Sequence, residues 1–188
     1  ARTGYGQTGF EQAFHQIRAR FNMQRLAVFQ KADIRHGFII ARANPQRQIG
    51  RMDRAIILGA SRGLGAELAK ISCAAGFTTV GVSRKSEPLQ TIRDQYPLFE
   101  YHTADFAQIQ GQERAVDLVL AGPAARVFCV AGGGPYGAFG DRNLKDHDWA
   151  WEVSFRTHAR LLHAMAKAKR FEQVILIGSS VAEGEGDP

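Results

Sequence analysis

A chain of 188 residues with 45% hydrophobic and 22% charged side chains has the length and make-up of one globular domain with a sizeable core. It has no apolar run near the ~20 residues of a membrane span, and Cys73 and Cys129 form no CxxC, so neither a disulfide framework nor a zinc site is expected. All of the net charge of +6 lies before Met52: residues 1–51 carry nine basic and two acidic side chains, residues 52–188 fifteen and sixteen.

The near-neutral larger part is therefore not expected to bind nucleic acid or a membrane surface. Nothing at the N-terminus resembles the apolar core of a secretory signal, so a cytoplasmic protein is expected. Residues 1–51 differ from the rest in other ways, holding seven Gln and no Ser. Phe10, Phe14, Ile17 and Phe21 recur at helical spacing, which predicts an amphipathic helix over roughly 9–30. Such a basic helix suits a transit peptide, but those are Ser-rich; it also suits a nucleic-acid or membrane adaptor. The expectation adopted is that 1–51 is upstream sequence outside the native domain, with 52–188 forming that domain.

Residues 55–58 form an apolar run of buried-strand length. Gly59-Ala-Ser61-Arg62-Gly63-Leu64-Gly65 then leads into a helix with Leu64, Leu68, Ile71 and Ala75 on one face, stopped by Gly76. Strand, glycine-rich turn and helix open a nucleotide-binding βαβ unit, in which glycines allow a tight turn and close backbone approach to a pyrophosphate at the helix N-terminus. The spacing GxxxGxG is neither GxGxxG nor a P-loop. It resembles the first turn of the short-chain dehydrogenase/reductase family, usually TGxxxGxG, with Leu58 where the Thr stands. The resemblance implies a doubly wound Rossmann-type α/β fold, a mainly parallel sheet in the order 3-2-1-4-5, and a cofactor turn made of Gly59, Ser61, Arg62, Gly63, Leu64 and Gly65.

Residues 77–82 read as the second strand, ending at Ser83-Arg84-Lys85. NAD-binding units place an acidic residue here to accept hydrogen bonds from the ribose 2′-hydroxyl. Ser83 and Arg84 suit a 2′-phosphate instead, and Arg62 matches a basic residue found in NADP-preferring family members. An Arg–phosphate pair is charge-assisted and often bidentate, so NADP is expected over NAD; Lys85 is read as a solvated loop charge. Ser86 is expected to cap a short helix carrying Pro88, Leu89, Ile92 and Tyr96. The third strand follows over 98–103, then Asp105 and Phe106, which stand where the family contacts adenine; a helix cap is the other reading of Asp105.

A helix over about 112–121 precedes a buried strand at 127–131. The family's Asn-Asn-Ala-Gly is here Cys129-Val130-Ala131-Gly132, so the resemblance keeps Ala131 and Gly132 against the cofactor ribose and loses the Asn pair. The span 146–169 is the longest helical pattern, with Trp149, Val153, Leu161, Leu162 and Met165 on its apolar face. In it Ser154 replaces a family Asn whose backbone holds a proton-relay water. His158 and His163 lie five apart, so metal binding is not expected.

The fifth strand, 173–177, leads to Ser179-Ser180-Val181-Ala182, similar to the family's Ser-Ser-x-Ala; Ser180 matches the residue that hydrogen-bonds the substrate carbonyl. The family's Tyr-x-x-x-Lys would fall beyond Pro188, so the fragment itself is expected to be inactive and strand 173–177 to be an exposed sheet edge. The resemblance implies an NADP-dependent oxidoreductase acting on a carbonyl or alcohol, homo-oligomeric at full length, with Ser180 and Ser154 as its catalytic positions. The competing reading is a non-catalytic dinucleotide-binding sensor or scaffold on the same fold.

Overall fold

The structure, a computed structural model, describes residues 38–42, 54–168 and 171–178. Everything described lies within one compact unit, Ala32–Pro188. The helix expected over 9–30, and Ser180, lie outside the described residues.

Six strands form one sheet: β1 (Phe38–Arg42), β2 (Arg54–Leu58), β3 (Thr78–Ser83), β4 (Phe99–Thr103), β5 (Ala124–Cys129) and β6 (Phe171–Ile177). Their order is β1-β6-β5-β2-β3-β4. The β2–β6 strands pair in parallel and follow the expected 3-2-1-4-5 order. The expectation that 173–177 is a free edge is corrected: β1 pairs antiparallel with β6, from Phe38 opposite Ile177 to Arg42 opposite Gln173. Five residues of the 1–51 stretch therefore lie in the sheet. A short apolar run such as 38–40 has no periodicity of its own, and its partner strand is more than 130 residues away.

Helices cover both faces of the sheet because the inner strands β2, β5 and β6 carry apolar side chains on both sides. On one face Ile56, Leu58, Val80, Val82, Val127 and Cys129 meet Ala115 and Val119 of α3 (Ile109–Leu120) and Leu161 and Met165 of α5 (Thr157–Ala168). On the other, Ala55, Ile57 and Phe128 meet Leu68, Ala69 and Cys73 of α1 (Gly63–Ala74) and Leu89 and Ile92 of α2 (Glu87–Gln95). Each fully buried aliphatic side chain contributes about 1.5–3 kcal/mol.

Helix ends are set by local chemistry. α1 stops at Gly76 (φ 85°), whose N–H bonds to the Cys73 carbonyl while that of Phe77 reaches Ser72, the paired bonds of a glycine C-terminal cap. Arg54, at the start of β2, donates from Nη2 to the Leu118 carbonyl at 2.8 Å and from Nη1 to that of Gly122 at 3.4 Å. A cation thereby binds the negative end of α3 to the first parallel strand. The expected Ser86 cap does not form: its backbone is already helical (φ −77°, ψ −37°) and its side chain makes no cap bond. A capping hydroxyl needs an extended backbone at that residue.

The long helix predicted over 146–169 is interrupted. α4 (Leu144–Trp151) runs into α5 through one π-helical turn, Glu152–Arg156. Thr157 Oγ1 donates to the Glu152 carbonyl, five residues back, at 2.8 Å, and so occupies an acceptor of the widened turn.

Candidate cofactor site

The sheet order reverses at β2, between β3 on one side and β5 on the other, and the crevice outside the carboxyl ends of such strands is where ligands bind in open α/β sheets. The three strand ends are bonded together. The N–H groups of Gly59 and Ala60 donate to the Val82 carbonyl at 2.8 and 3.2 Å, and those of Val130 and Ala131 to the Leu58 carbonyl at 2.9 and 2.8 Å.

Glycine is required at two points of the turn. Gly59 has φ 95°, and a Cβ there would lie 2.6 Å from the Ala131 nitrogen. A Cβ on Gly65 would lie 2.0 Å from the Gly59 carbonyl oxygen, so only glycine lets α1 start this close to the strand end. Around Gly63 (φ 54°) the space is open. The first turn of α1 has no acidic residue and no side-chain cap, leaving its N–H groups to an outside acceptor such as a phosphate.

A cleft of about 160 Å³ opens at these strand ends, lined by Gly59, Ser61, Arg62, Ser83, Arg84, Asp105, Phe106, Ala131 and Gly132 together with Val130, Trp149 and Val153. Nine of the twelve cofactor positions named from the sequence thus share one wall system; Gly63, Leu64 and Gly65 lie at the start of α1 behind it. Two cations, Arg62 and Arg84, face one carboxylate, Asp105, among the charged lining residues. Asp105 lines the cleft but does not cap α3: its Oδ1 accepts the Ala107 N–H at 3.1 Å in a turn ahead of the helix, whose cap residue is Gln108.

Phe106 is fixed from behind. Its carbonyl accepts from Gln112 Nε2 at 3.0 Å and, 3.1 Å from Thr157 Oγ1, shares that hydroxyl's one proton with the Glu152 carbonyl, while the Gln112 amide also donates to Glu152 Oε2 at 2.7 Å. Glu152 in turn pairs with Arg156 at 3.2 Å. This network joins the cleft wall to the π-helical turn.

Ser154 does not line the cleft. Its hydroxyl accepts the Gly133 N–H and donates to the Gly133 carbonyl, both at 3.0 Å, and so binds the glycine run to the π-helical turn. The Ser154 carbonyl is hydrogen-bonded by buried His158, whose imidazole is held below its ordinary value first by burial, against that bond. Cys129, beneath the cleft, is a buried thiol pushed up to about 12 by desolvation, which makes it a packing residue.

Sequence reasoning missed Val130, Trp149 and Val153 as cleft residues. Trp149 and Val153 were assigned to the apolar face of their helix, and spacing alone does not separate a core face from a cleft wall. The adjacent glycine run was a usable signal. A Cβ on Gly133 would lie 3.1 Å from the Trp149 ring, so the indole packs where a side chain is missing.

No family model matches the sequence, and no curated protein does. Solved structures do. A short-chain dehydrogenase from Streptomyces avermitilis is 27% identical, with a TM-score of 0.57 over 62% of this chain and 44% of that one. A bulky-bulky ketone specific alcohol dehydrogenase from Comamonas testosteroni is 26% identical, with a TM-score of 0.56 over 61% and 48%. A metagenomic short-chain oxidoreductase in complex with NADP has the same identity and TM-score over 61% and 55%. In sequence and fold the chain is similar to short-chain dehydrogenases/reductases. It spans about half the length of these structures.

Proposed function

We propose that the protein is an NADP-dependent short-chain oxidoreductase that moves a hydride between the nicotinamide and a carbonyl or alcohol substrate. The observation that carries this reading is the convergence of Gly59, Ser61, Arg62, Ser83, Arg84 and Asp105 on one cleft, with Ser rather than a carboxylate at the end of β3. A carboxylate at Ser83 would repel a 2′-phosphate, whereas Arg84 and Arg62 attract one. The uncapped start of α1 suits the pyrophosphate, and Ala131 and Gly132 leave room for the ribose. When bound, the nicotinamide would supply or accept the hydride. Ser180 would orient the substrate carbonyl and stabilise charge developing on its oxygen.

The solved structures with NADP, 5-hydroxy-NADP and NADPH support a nicotinamide cofactor for this chain. The reading includes a small-molecule substrate, a cytoplasmic setting and a homo-oligomer. Among the described residues no helix is long and apolar enough to cross a membrane.

A second reading, a dinucleotide-binding sensor or scaffold, is favoured by Ser154. It stands where the family's relay Asn would, and its hydroxyl is engaged on both sides by Gly133. The deciding experiment is ketone-dependent NADPH oxidation by the protein, including any residues its gene encodes after Pro188. Turnover that falls about 10²–10⁴-fold on Ser180→Ala, with NADPH affinity kept, is the expected result. Tight NADPH binding with no turnover on a broad ketone panel would replace the enzyme by the sensor.

A further inference from the structure

The Arg84 guanidinium lies over the Trp149 ring, 5.5 Å from its centroid, and both side chains line the cleft. They come from distant parts of the chain: Arg84 follows β3, and Trp149 is on α4. Trp149 packs against the glycine run: its ring edge would lie 3.1 Å from a Cβ on Gly133, so a side chain there would push the indole outward by a few tenths of an ångström. Gly133 is in turn fixed by the Ser154 hydroxyl through both its N–H and its carbonyl. The indole is therefore backed by the glycine run, whereas Arg84 is exposed to solvent.

We propose that Arg84 and Trp149 are the two faces of a purine slot, and that the adenine of the cofactor stacks on Trp149 when Arg84 moves off the ring. The inference rests on the nucleotide-binding reading of the cleft and adds the residue that grips the base. The chemistry of the lining agrees. Trp149, Val153 and Phe106 offer apolar and aromatic surface, Asp105 offers a carboxylate acceptor for an amino group, and Arg84 offers a planar cation that stacks as well as binds phosphate. The present separation is too small for a base. Two ring contacts of ~3.5–4.0 Å need about 7 Å or more, so Arg84 has to swing outward. The contact it leaves is a cation–π pair near a solvent-exposed edge, weaker than stacking of a base on an indole combined with an Arg–phosphate bond. The pair thus closes the slot in the absence of nucleotide and yields to it.

The test uses the 188-residue chain with two probes, AMP and adenosine 2′,5′-bisphosphate, titrated by calorimetry. A Trp151→Phe background leaves Trp149 as the single tryptophan, because the chain has two. Both probes are expected to quench Trp149 fluorescence. Trp149→Leu, which keeps an apolar side chain against Gly133, is expected to weaken both probes by the same factor, at least about fivefold. Trp149→Phe should keep most of the affinity. Arg84→Ala should weaken the bisphosphate more than AMP. If Trp149→Leu binds both probes like the unaltered chain, or weakens only the bisphosphate, the stacking role is overturned while the nucleotide reading stands. If the unaltered chain binds neither probe, both fall. Should Trp149→Leu fail to fold, absence of quenching in the Trp151→Phe chain overturns the proposal by itself.

Discussion

At the scale of single residues, buried polar groups show where the sequence was silent. Among the described residues, Gln112 Oε1 and His158 Nε2 are buried without a hydrogen-bond partner. Gln112 sits on a helix whose polar positions look solvated in sequence, yet it is buried because the Phe106 carbonyl and Glu152 meet its amide. Burying such an amide unpaired would be costly, and the two bonds offset that. His158 has a clearer consequence. Burial lowers its folded value below the ordinary 6.5, opposed by its bond to the Ser154 carbonyl. The unfolded chain then binds a proton that the folded chain resists, so this contribution to stability is complete above about pH 6.5 and is lost as pH falls below it. The thermal midpoint is expected to drop between about pH 7.5 and pH 5.5, and His158→Leu should flatten part of that drop. An unchanged slope in the variant would mean that His158 is not charged on unfolding in this range.

At the scale of elements, the strands and helices that frame the cleft were legible because each carries its own signal. The run 55–58, the glycine spacing after it and the stop at Gly76 are local, and the structure keeps all three. What was not legible depends on partners far along the chain. The Arg84–Trp149 contact joins two elements 65 positions apart, and the π-helical turn depends on Thr157 as a side-chain donor to Glu152. The β1 pairing is of the same kind. It also bears on the proposal that 52–188 is the native domain. β1 adds to the sheet at β6, and both β6 and β5 separate it from β2, where the cofactor turn begins. A chain beginning at Met52 is therefore expected to bind NADPH within about twofold of the 188-residue chain, well under the tenfold that 1.4 kcal/mol represents. Removing β1 uncovers the backbone edge of β6, whose Val174 and Ile175 side chains are buried, so the shortened chain should self-associate more readily in sedimentation. A large loss of NADPH affinity in the monomeric fraction would show that residues 1–51 support the site.

At the scale of the whole molecule, a reversed strand order, a glycine turn and an uncapped helix start converge on one crevice. The fold states only that a dinucleotide suits the crevice. In the function proposed above, the choice between the two nicotinamide dinucleotides would fall to the end of β3, where Ser83 and Arg84 stand in place of a carboxylate that would favour a free 2′-hydroxyl, and to Arg62 in the turn. Hydrogen bonds to a charged group are worth about 1.5–3 kcal/mol, which corresponds to a preference of roughly tenfold or more. The most direct measurement is calorimetric titration of the 188-residue chain with NADPH and with NADH at the same ionic strength. The account predicts that NADPH binds at least about tenfold more tightly and that the difference shrinks as salt screens the phosphate contacts. Equal affinities, or tighter binding of NADH, would contradict it.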